Sequence, residues 1–248
     1  MRPSDRPDRL PEAALVIFAK APVPGQVKTR LCPPLTPDEA ATLHGSFVLD
    51  TLERTKTAVG KWKLPLRRYL ACSPSSTLVF FKIMEERHGV TLIEQDGPDL
   101  GTRMSRAVNR MFDDGFRKVL LVGTDVPSLP LDHYQQAFSS LDTHDLVLGP
   151  ALDGGYYLIG LKAPAPGLFE DIPWSTQEVL KLTRAKADEL GLRTALLPLW
   201  QDVDTIDDLQ SLIEAAALDS KKPRVDQQFS SRTSGALQLL AKRLRTRA

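Results

Sequence analysis

The sequence has no long apolar run, few cysteines and no recognisable export signal. Its longest apolar stretches, such as Val119–Val122, fall far short of the roughly 20 residues that span a bilayer. Residues 1–12 are charged and proline-rich without an apolar segment, so they do not resemble a signal peptide and are predicted to be flexible. Cys32 and Cys72 form neither a metal-binding pair nor a disulfide framework. These features predict a cytoplasmic protein with no transmembrane segment.

The net charge of +1 is the balance of two unequal parts of the chain. Residues 219–248 carry a net charge of +6, and the preceding 218 residues carry −5. A nucleic-acid-binding domain is expected to hold its positive charge on a folded face, so nucleic acid is not predicted as a partner of the main domain. The polar composition after Asp219 predicts a disordered basic tail over 219–248, with a short helix at Ala236–Leu244.

Short apolar runs alternate with amphipathic segments between residues 13 and 218. Capping signals predict helix starts at Thr36–Glu39, Ser175–Glu178 and Thr205–Asp208. The alternation predicts a single α/β domain over 13–218, built as a three-layer sandwich around a mostly parallel mixed sheet. The predicted strands are Ala14–Ala19, Arg68–Cys72, Val90–Glu94, Val119–Val122, Leu146–Leu148, Tyr156–Leu161 and Thr194–Leu199.

A basic loop follows the first predicted strand. Lys20, Lys28 and Arg30 lie within eleven residues, and two prolines and Gly25 bend the chain between them. Charged lysine and arginine side chains at this position suit a diphosphate or triphosphate, although a solvated basic loop is the alternative interpretation. The spacing is not that of a Walker loop, and no GxGxxG motif occurs.

Carboxylates follow two other predicted strands. Asp125 comes after Val119–Val122, and Asp202 and Asp204 come after the last strand. Because ligands of open parallel sheets bind at the carboxyl ends of the strands, Asp125 and either later aspartate could hold Mg²⁺ or Mn²⁺. The alternatives are local: Asp125 organises the turn into Pro127, and Asp204 or Thr205 caps the following helix.

Three further segments carry candidate binding residues. The turn Gly149–Tyr157 presents Asp153 and two tyrosines, which fits a sugar or other small acceptor, although a hairpin turn explains it nearly as well. Arg103 lies in the first turn of a helix, where a cation is unfavourable unless an anion or Asp99 compensates it. Trp174 precedes a helix and is either a stacking platform or a hydrophobic staple.

Two other kinds of chemistry are not supported by the sequence. The four histidines, His44, His88, His133 and His144, form no HExxH motif and no i,i+4 pair, which argues against zinc. Cys32 has no histidine nearby in the sequence, which argues against a nucleophilic thiol.

Six segments of the chain together resemble a known family. The chain resembles DUF2064, a bacterial family of glycosyltransferase-A-like proteins. That family is similar to guanylyltransferases acting on phospholactate and molybdopterin and, more distantly, to sugar-nucleotide pyrophosphorylases. The likeness covers about Ala14–Ala217. In order, the segments are FAKAPVPGQVKTRL (Phe18–Leu31), DLGTRM (Asp99–Met104), GTDVPSL (Gly123–Leu129), GPALDGGYYLIGL (Gly149–Leu161), IPWST (Ile172–Thr176) and DVDTIDDL (Asp202–Leu209).

The resemblance implies a nucleotide-diphospho-sugar transferase fold that is Rossmann-like and depends on Mg²⁺ or Mn²⁺. It implies metal binding by Asp125, and it favours Asp204 over Asp202 as the second ligand. Two departures are visible: Thr124-Asp125 replaces a full DxD motif, and a proline-containing loop replaces the GxGxxxR loop of pyrophosphorylases. The predicted nucleotide-binding residues are Lys20, Gly25, Lys28, Arg30, Arg103 and Thr124. The predicted acceptor-binding residues are Asp153, Gly154, Gly155, Tyr156 and Trp174.

These observations predict a metal-dependent transferase with a nucleotide donor, in which Asp125, Lys28 and Arg30 are catalytic. Transfer of a sugar from a nucleotide sugar to a small-molecule acceptor is the leading hypothesis. The alternatives are a nucleotidyltransferase that acts on a small phosphorylated acceptor and a non-catalytic nucleotide-binding module.

Overall fold

The structure is a computed structural model that describes residues 12–223 and 228–245. The flexible N-terminus predicted for residues 1–12 therefore lies, except for Glu12, outside the described residues. Within the described ranges, no helix has both the length and the apolar character needed to cross a membrane. The strands are β1 (Ala13–Lys20), β2 (Leu66–Ser73), β3 (Thr91–Glu94), β4 (Lys118–Val122), β5 (Leu146–Pro150), β6 (Tyr156–Leu161) and β7 (Thr194–Leu196). The helices are α1 (Pro37–Trp62), α2 (Val79–His88), α3 (Leu100–Asp113), α4 (Leu131–Ser140), α5 (Val179–Glu189), α6 (Ile206–Asp219) and α7 (Ser231–Arg245), with a short 3₁₀ turn at Thr29–Leu31.

The seven strands form one sheet in the order β3-β2-β1-β4-β6-β5-β7. All neighbouring pairs are parallel except those that β6 makes with β4 and β5. Six strands therefore end at the same edge of the sheet, called here the carboxyl edge. Because β6 runs the opposite way, its first residue, Tyr156, also lies at this edge. The predicted mostly parallel mixed sheet is confirmed.

Two apolar layers cover the sheet, as expected for strands buried on both faces. Residues of β1 alternate between the layers: Leu15 and Ile17 face α1, α2 and α4, whereas Ala14 and Val16 face α3 and α5. All four of these β1 side chains are fully buried. The three-layer sandwich predicted from the alternating strands and helices is confirmed.

Two of the three predicted helix starts carry the expected capping box. Thr36 accepts a hydrogen bond from the Glu39 amide, and the Glu39 carboxylate accepts one from the Thr36 amide. Thr205 and Asp208 make the same reciprocal pair at α6. The third prediction is wrong, because α5 begins at Val179 and Ser175 has a left-handed backbone (φ 66°), which places it outside the helix.

The basic segment after Asp219 contains a packed helix. Within it, α7 lies against α1 and α6 and buries Leu237 and Leu240, and Phe229 is buried just before the helix begins. The buried Asp219 carboxylate accepts hydrogen bonds from the backbone N–H groups of Gln228 and Phe229, with N···Oδ2 distances of 2.7 and 2.9 Å. The expectation of disorder is therefore wrong over 228–245, because apolar residues at helical spacing find a partner surface that composition alone does not reveal. The short helix predicted at Ala236–Leu244 is part of α7.

Candidate active site

The predicted site residues meet at the carboxyl edge of the sheet. The basic loop leaves β1, the segment of Asp125 leaves the adjacent β4, and Asp202–Asp204 follows β7 and a short irregular stretch. The Val203 amide donates to the Asp125 carbonyl at 3.0 Å, which joins the last two segments. Segments up to 176 residues apart along the chain are thus brought into direct contact.

The centre of the site is the ammonium group of Lys28. It pairs with Asp125 Oδ1, with Asp204 Oδ1 at 2.8 Å and with the Val203 carbonyl oxygen at 2.7 Å. An ammonium group has three N–H donors, so these three oxygens can satisfy all of them. The Lys28 side chain is only 5% exposed, and its backbone is left-handed (φ 49°) at the start of the 3₁₀ turn.

The ion pairs shift the pKa values of both partners. Burial by itself lowers the pKa of Lys28, but the Asp125 and Asp204 carboxylates outweigh burial, so the net pKa is raised. Burial raises the pKa of Asp125, but Lys28 outweighs it and lowers the net value. Lys28 and Asp125 therefore each favour the charged form in this arrangement.

The oxygen atoms around Lys28 suit a hard divalent cation. Two carboxylate oxygens and a backbone carbonyl oxygen already converge on one positive charge, and oxygen ligands of this kind are those that Mg²⁺ and Mn²⁺ prefer. In this structure the Lys28 ammonium contacts all three of these oxygens. The donor set thus fits the predicted pair Asp125 and Asp204, with the Val203 carbonyl as a third oxygen that the sequence did not reveal.

The other predicted nucleotide-binding residues, three in the loop after β1 and Thr124 after β4, differ in exposure. Lys20, Gly25 and Arg30 face solvent, whereas Thr124 is 3% exposed. Gly25 has φ +75°, a conformation that glycine adopts without strain, and this lets the loop turn over the sheet. Lys20 and Arg30 are available to a bound phosphate, but Lys28 is engaged with protein oxygens.

His44 of α1 was not predicted as a site residue. Its Nε2 lies 3.0 Å from the Lys20 carbonyl oxygen, and its side chain is almost fully buried. Burial lowers its pKa, and the Asp125 charge only partly opposes this effect. The sequence signal that could have predicted a buried His44 was its position next to Leu43 on the apolar side of α1. A neutral His44 therefore fixes the backbone at the start of the basic loop.

Asp204 also belongs to a second group of carboxylates. Oxygen atoms of Asp153, Asp202 and Asp204 all lie within 4.8 Å of one another. Burial, together with the Asp153 charge, raises the pKa of Asp202 to about 6. Neither Asp202 nor Asp204 caps α6, because Thr205 and Asp208 do so. The alternative that Asp204 or Thr205 caps the helix is therefore right for Thr205 and wrong for Asp204.

The turn between β5 and β6 presents fewer polar groups than the sequence suggested. The Asp153 carboxylate accepts from the Gly155 amide at 2.8 Å, and a Cβ on Gly154 would lie 2.2 Å from the Gln177 carbonyl oxygen. The Tyr156 hydroxyl is buried, which raises its pKa. The Tyr157 hydroxyl bonds to His133 and to the Pro198 carbonyl. Among these predicted acceptor residues, Asp153 is the polar side chain that faces solvent.

Trp174 packs against the first turn of α3. A Cβ on Gly101 would lie 2.2 Å from the indole Nε1, and the ring also makes an edge-to-face contact with Tyr156 at 6.5 Å. Trp174 is therefore a packing residue whose indole lies over Gly101. Asp99 caps α3, and Arg103 donates from Nε to the Gly97 carbonyl at 2.7 Å. Arg103 makes no direct ion pair with Asp99 in the described residues, but its charge adds to the Thr102 hydrogen bonds in lowering the pKa of Asp99.

The Gly101→Ala substitution is expected to displace the Trp174 ring. The new methyl group would collide with the indole and with the Phe169 carbonyl oxygen, which is backbone and cannot rotate away. Overpacking of this kind costs about 1–3 kcal/mol. A changed tryptophan fluorescence spectrum and a lower melting temperature would confirm the contact. Gly60→Ala in α1, where the added Cβ meets nothing within 4 Å, is the matched control; equal effects in both variants would contradict it.

Comparison with solved structures identifies proteins whose architecture is similar to that of this chain. A proposed nucleotide-diphospho-sugar transferase from Desulfovibrio desulfuricans G20 is 33% identical and superimposes with a TM-score of 0.81; the alignment covers 95% of this chain and 97% of that one. The profile of the family described as "Uncharacterized protein conserved in bacteria (DUF2064)" matches residues 59–176. The chain belongs to the DUF2064 family. No curated protein matches this DUF2064 chain.

More distant structures share the fold of this DUF2064 protein. A cytidylyltransferase from Leptospira borgpetersenii is 13% identical with a TM-score of 0.52, and the alignment covers 95% of each chain. A CMP:2-keto-3-deoxy-manno-octonic acid synthetase in complex with CTP is 11% identical with a TM-score of 0.53; the alignment covers 84% of this chain and 99% of that one. At such identities the similarity describes the fold. The Rossmann-like transferase fold expected from the six sequence segments is confirmed.

Proposed function

We propose that this DUF2064 protein is a metal-dependent transferase that moves a sugar from a nucleotide sugar to a small-molecule acceptor. The observation that carries the proposal is the convergence of Lys28, Asp125 and Asp204 at the carboxyl edge, beside the solvent-facing cations of the basic loop. The 33% identical Desulfovibrio protein, itself a proposed nucleotide-diphospho-sugar transferase, supports the choice of donor.

The residues of the chain have separate tasks in this proposal. Lys20 and Arg30 bind the donor phosphates, and Arg103 adds positive charge at the start of α3. Lys28 offsets the charge that develops on the leaving diphosphate. Asp125 and Asp204 would hold Mg²⁺ or Mn²⁺, which would supply further charge neutralisation on the phosphates. Asp153 is the side chain best placed to bind acceptor hydroxyl groups.

The transfer itself needs no protein nucleophile. The acceptor oxygen forms a bond to the sugar carbon, the bond from that carbon to the diphosphate breaks, and the nucleoside diphosphate leaves with the bonding electrons. The acceptor proton passes to solvent. Each group named above acts by binding, orientation or charge compensation, which are the usual contributions of a protein to such a transfer.

A nucleotidyltransferase is the second candidate. Three cations in the loop after β1 would also suit a triphosphate, and Thr124-Asp125 in place of a DxD motif favours this reaction. In it, an acceptor phosphate oxygen bonds to the α-phosphorus and pyrophosphate leaves. The same fold in the Leptospira cytidylyltransferase is compatible with either candidate.

Donor screening distinguishes the candidates. The protein with Mn²⁺ is tested against nucleoside triphosphates and nucleotide sugars by thermal shift, and products are sought by mass spectrometry with a panel of acceptors. Greater stabilisation by nucleotide sugars, with released nucleoside diphosphate, is the expected result. Greater stabilisation by triphosphates, with released pyrophosphate, would replace it with the second candidate. Stabilisation without any turnover would favour a binding module, and no stabilisation by any nucleotide would overturn all three.

A further inference from the structure

The three N–H donors of Lys28 create a conflict with its proposed task. The ammonium donates to the Val203 carbonyl oxygen and to Asp204 Oδ1, and it is ion-paired with Asp125 Oδ1. A phosphate oxygen can bind this ammonium only if at least one of those contacts is given up. Lys28 is also 5% exposed, whereas Lys20 and Arg30 face solvent.

The proposed metal ligands are also already occupied, because they bind the Lys28 ammonium. Asp125 Oδ1 and Asp204 Oδ1 already share one positive charge. A divalent ion would have to occupy the same space and would bring its charge close to the buried ammonium. Repulsion between two cations at such a distance is large where the surroundings are of low dielectric. Metal and ammonium therefore compete for the same oxygens.

We propose that Lys28 is the resident counter-ion of Asp125 and Asp204 in the free protein, and that a polyphosphate must draw it away before a divalent cation binds there. The inference rests on the proposed function for the identity of the ligands. It adds a coupling between the two ligands: polyphosphate takes over the Lys28 ammonium, and this frees the Asp125 and Asp204 carboxylates for the metal.

The backbone of Lys28 supports this role. A non-glycine residue with φ 49° is uncommon and carries a local conformational cost. The Lys28 side chain is buried at this left-handed position, whereas Arg30, two residues later, faces solvent. The same loop thus carries one cation committed to the carboxylates and others open to a ligand.

Thermodynamic linkage makes the proposal measurable. If polyphosphate and metal each relieve the obstacle that the other meets, then each must raise the affinity for the other by the same factor. Removing the ammonium should abolish the need for polyphosphate. The Lys28→Met substitution keeps most of the side-chain volume and removes the charge, so Mn²⁺ alone should then bind.

The test measures Mn²⁺ binding in the absence of any nucleotide. The concentration of free Mn²⁺ is monitored by electron paramagnetic resonance. We expect Lys28→Met to bind one Mn²⁺ at least tenfold more tightly than the unsubstituted protein. Adding Asp125→Asn should remove the gain. Adding Asp202→Asn should leave the gain in affinity unchanged, because Asp202 does not contact Lys28 in the described structure. Loss of the gain with Asp202→Asn would place the ion at the Asp153–Asp202 group and overturn the proposal. Equal affinity in Lys28→Met and the unsubstituted protein would also overturn it.

The chain offers a matched control in Lys118. This lysine is also buried between two carboxylates, Glu12 at 3.1 Å and Asp142 at 2.6 Å, but it lies at the opposite end of β4. Lys118→Met should destabilise the protein without any gain in Mn²⁺ affinity. If Lys28→Met does not fold, Lys28→Gln keeps two N–H donors for the same oxygens without the charge, and the same gain is expected.

A second measurement separates this proposal from the proposed function. The melting temperature is measured with inorganic pyrophosphate alone, with Mn²⁺ alone and with both. In the unsubstituted protein, the increase with both ligands should exceed the sum of the two single increases, whereas in Lys28→Met the increases should be additive. Additive shifts in the unsubstituted protein would overturn the displacement. If coupling is present but no nucleotide yields a product, the transferase proposal fails and the role of Lys28 stands.

Discussion

The Asp125→Asn substitution is expected to lower turnover of the nucleotide donor by on the order of 10²–10³-fold. Asp125 Oδ1 is buried against Lys28, but the Asp125 side chain as a whole is 46% exposed and so accessible to a ligand. Asparagine keeps the shape but removes the charge that would bind a metal ion. Donor binding should change much less than turnover, because Lys20 and Arg30 are untouched.

This prediction is checked by the rate of product formation once a donor has been found, with circular dichroism to verify folding. Asp207→Asn is the matched control, since Asp207 is an exposed carboxylate in the first turn of α6, three residues after Asp204. It should alter the rate by no more than about twofold to threefold. An Asp125→Asn protein that is folded and fully active would refute the catalytic assignment.

The Leu237→Ala substitution in α7 is expected to lower the free energy of unfolding by about 2–5 kcal/mol. Leu237 is 1% exposed and belongs to the apolar cluster that joins α7 to α1 and α6. Removing its side chain leaves a cavity that helices anchored on both sides can close only in part. The loss should appear as a lower midpoint in chemical denaturation.

Leu239 provides the control on the same helix, because it is 73% exposed. Leu239→Ala should change stability by no more than about 0.5 kcal/mol. If the two variants were equally stable, α7 would not be part of the folded unit, and the original expectation of a detached tail would be correct. The pair of variants thus measures the docking of α7 directly.

The secondary structure that sequence predicted best depends on local rules. The run Ala14–Ala19 is apolar at every position, and the structure extends it by one residue at each end to form β1. Thr36 and Thr205 each carry their reciprocal acidic partner three residues later, so their helix starts could be read without tertiary information. Ser175–Glu178 has the same capping-box pattern, a hydroxyl residue followed three positions later by an acidic one. The preceding loop, however, packs Trp174 against Gly101, and α5 begins only at Val179.

The candidate site was predictable by residue type but not by pairing. Alternating strands and helices place the ends of β1, β4 and β7 at one edge, so a basic loop and several aspartates were expected to meet there. Which oxygen faces which cation depends on side-chain directions and on burial. Lys28 and Arg30 are two residues apart in the same basic loop, yet one is buried in an ion pair and the other faces solvent.

Sequence by itself determined the fold class, the layer order and the chemical character of the carboxyl edge, because these follow from periodicity, capping and the direction of parallel strands. Only the tertiary structure decided that Lys28 holds Asp125 and Asp204, that the tyrosine hydroxyls of the β5–β6 turn are buried, and that α7 is docked. Those features depend on contacts between residues up to about 180 positions apart, such as Ser230 Oγ with Asp50. Local sequence rules carry no information about such distant pairings, since the sheet and its covering helices must first bring the partners together.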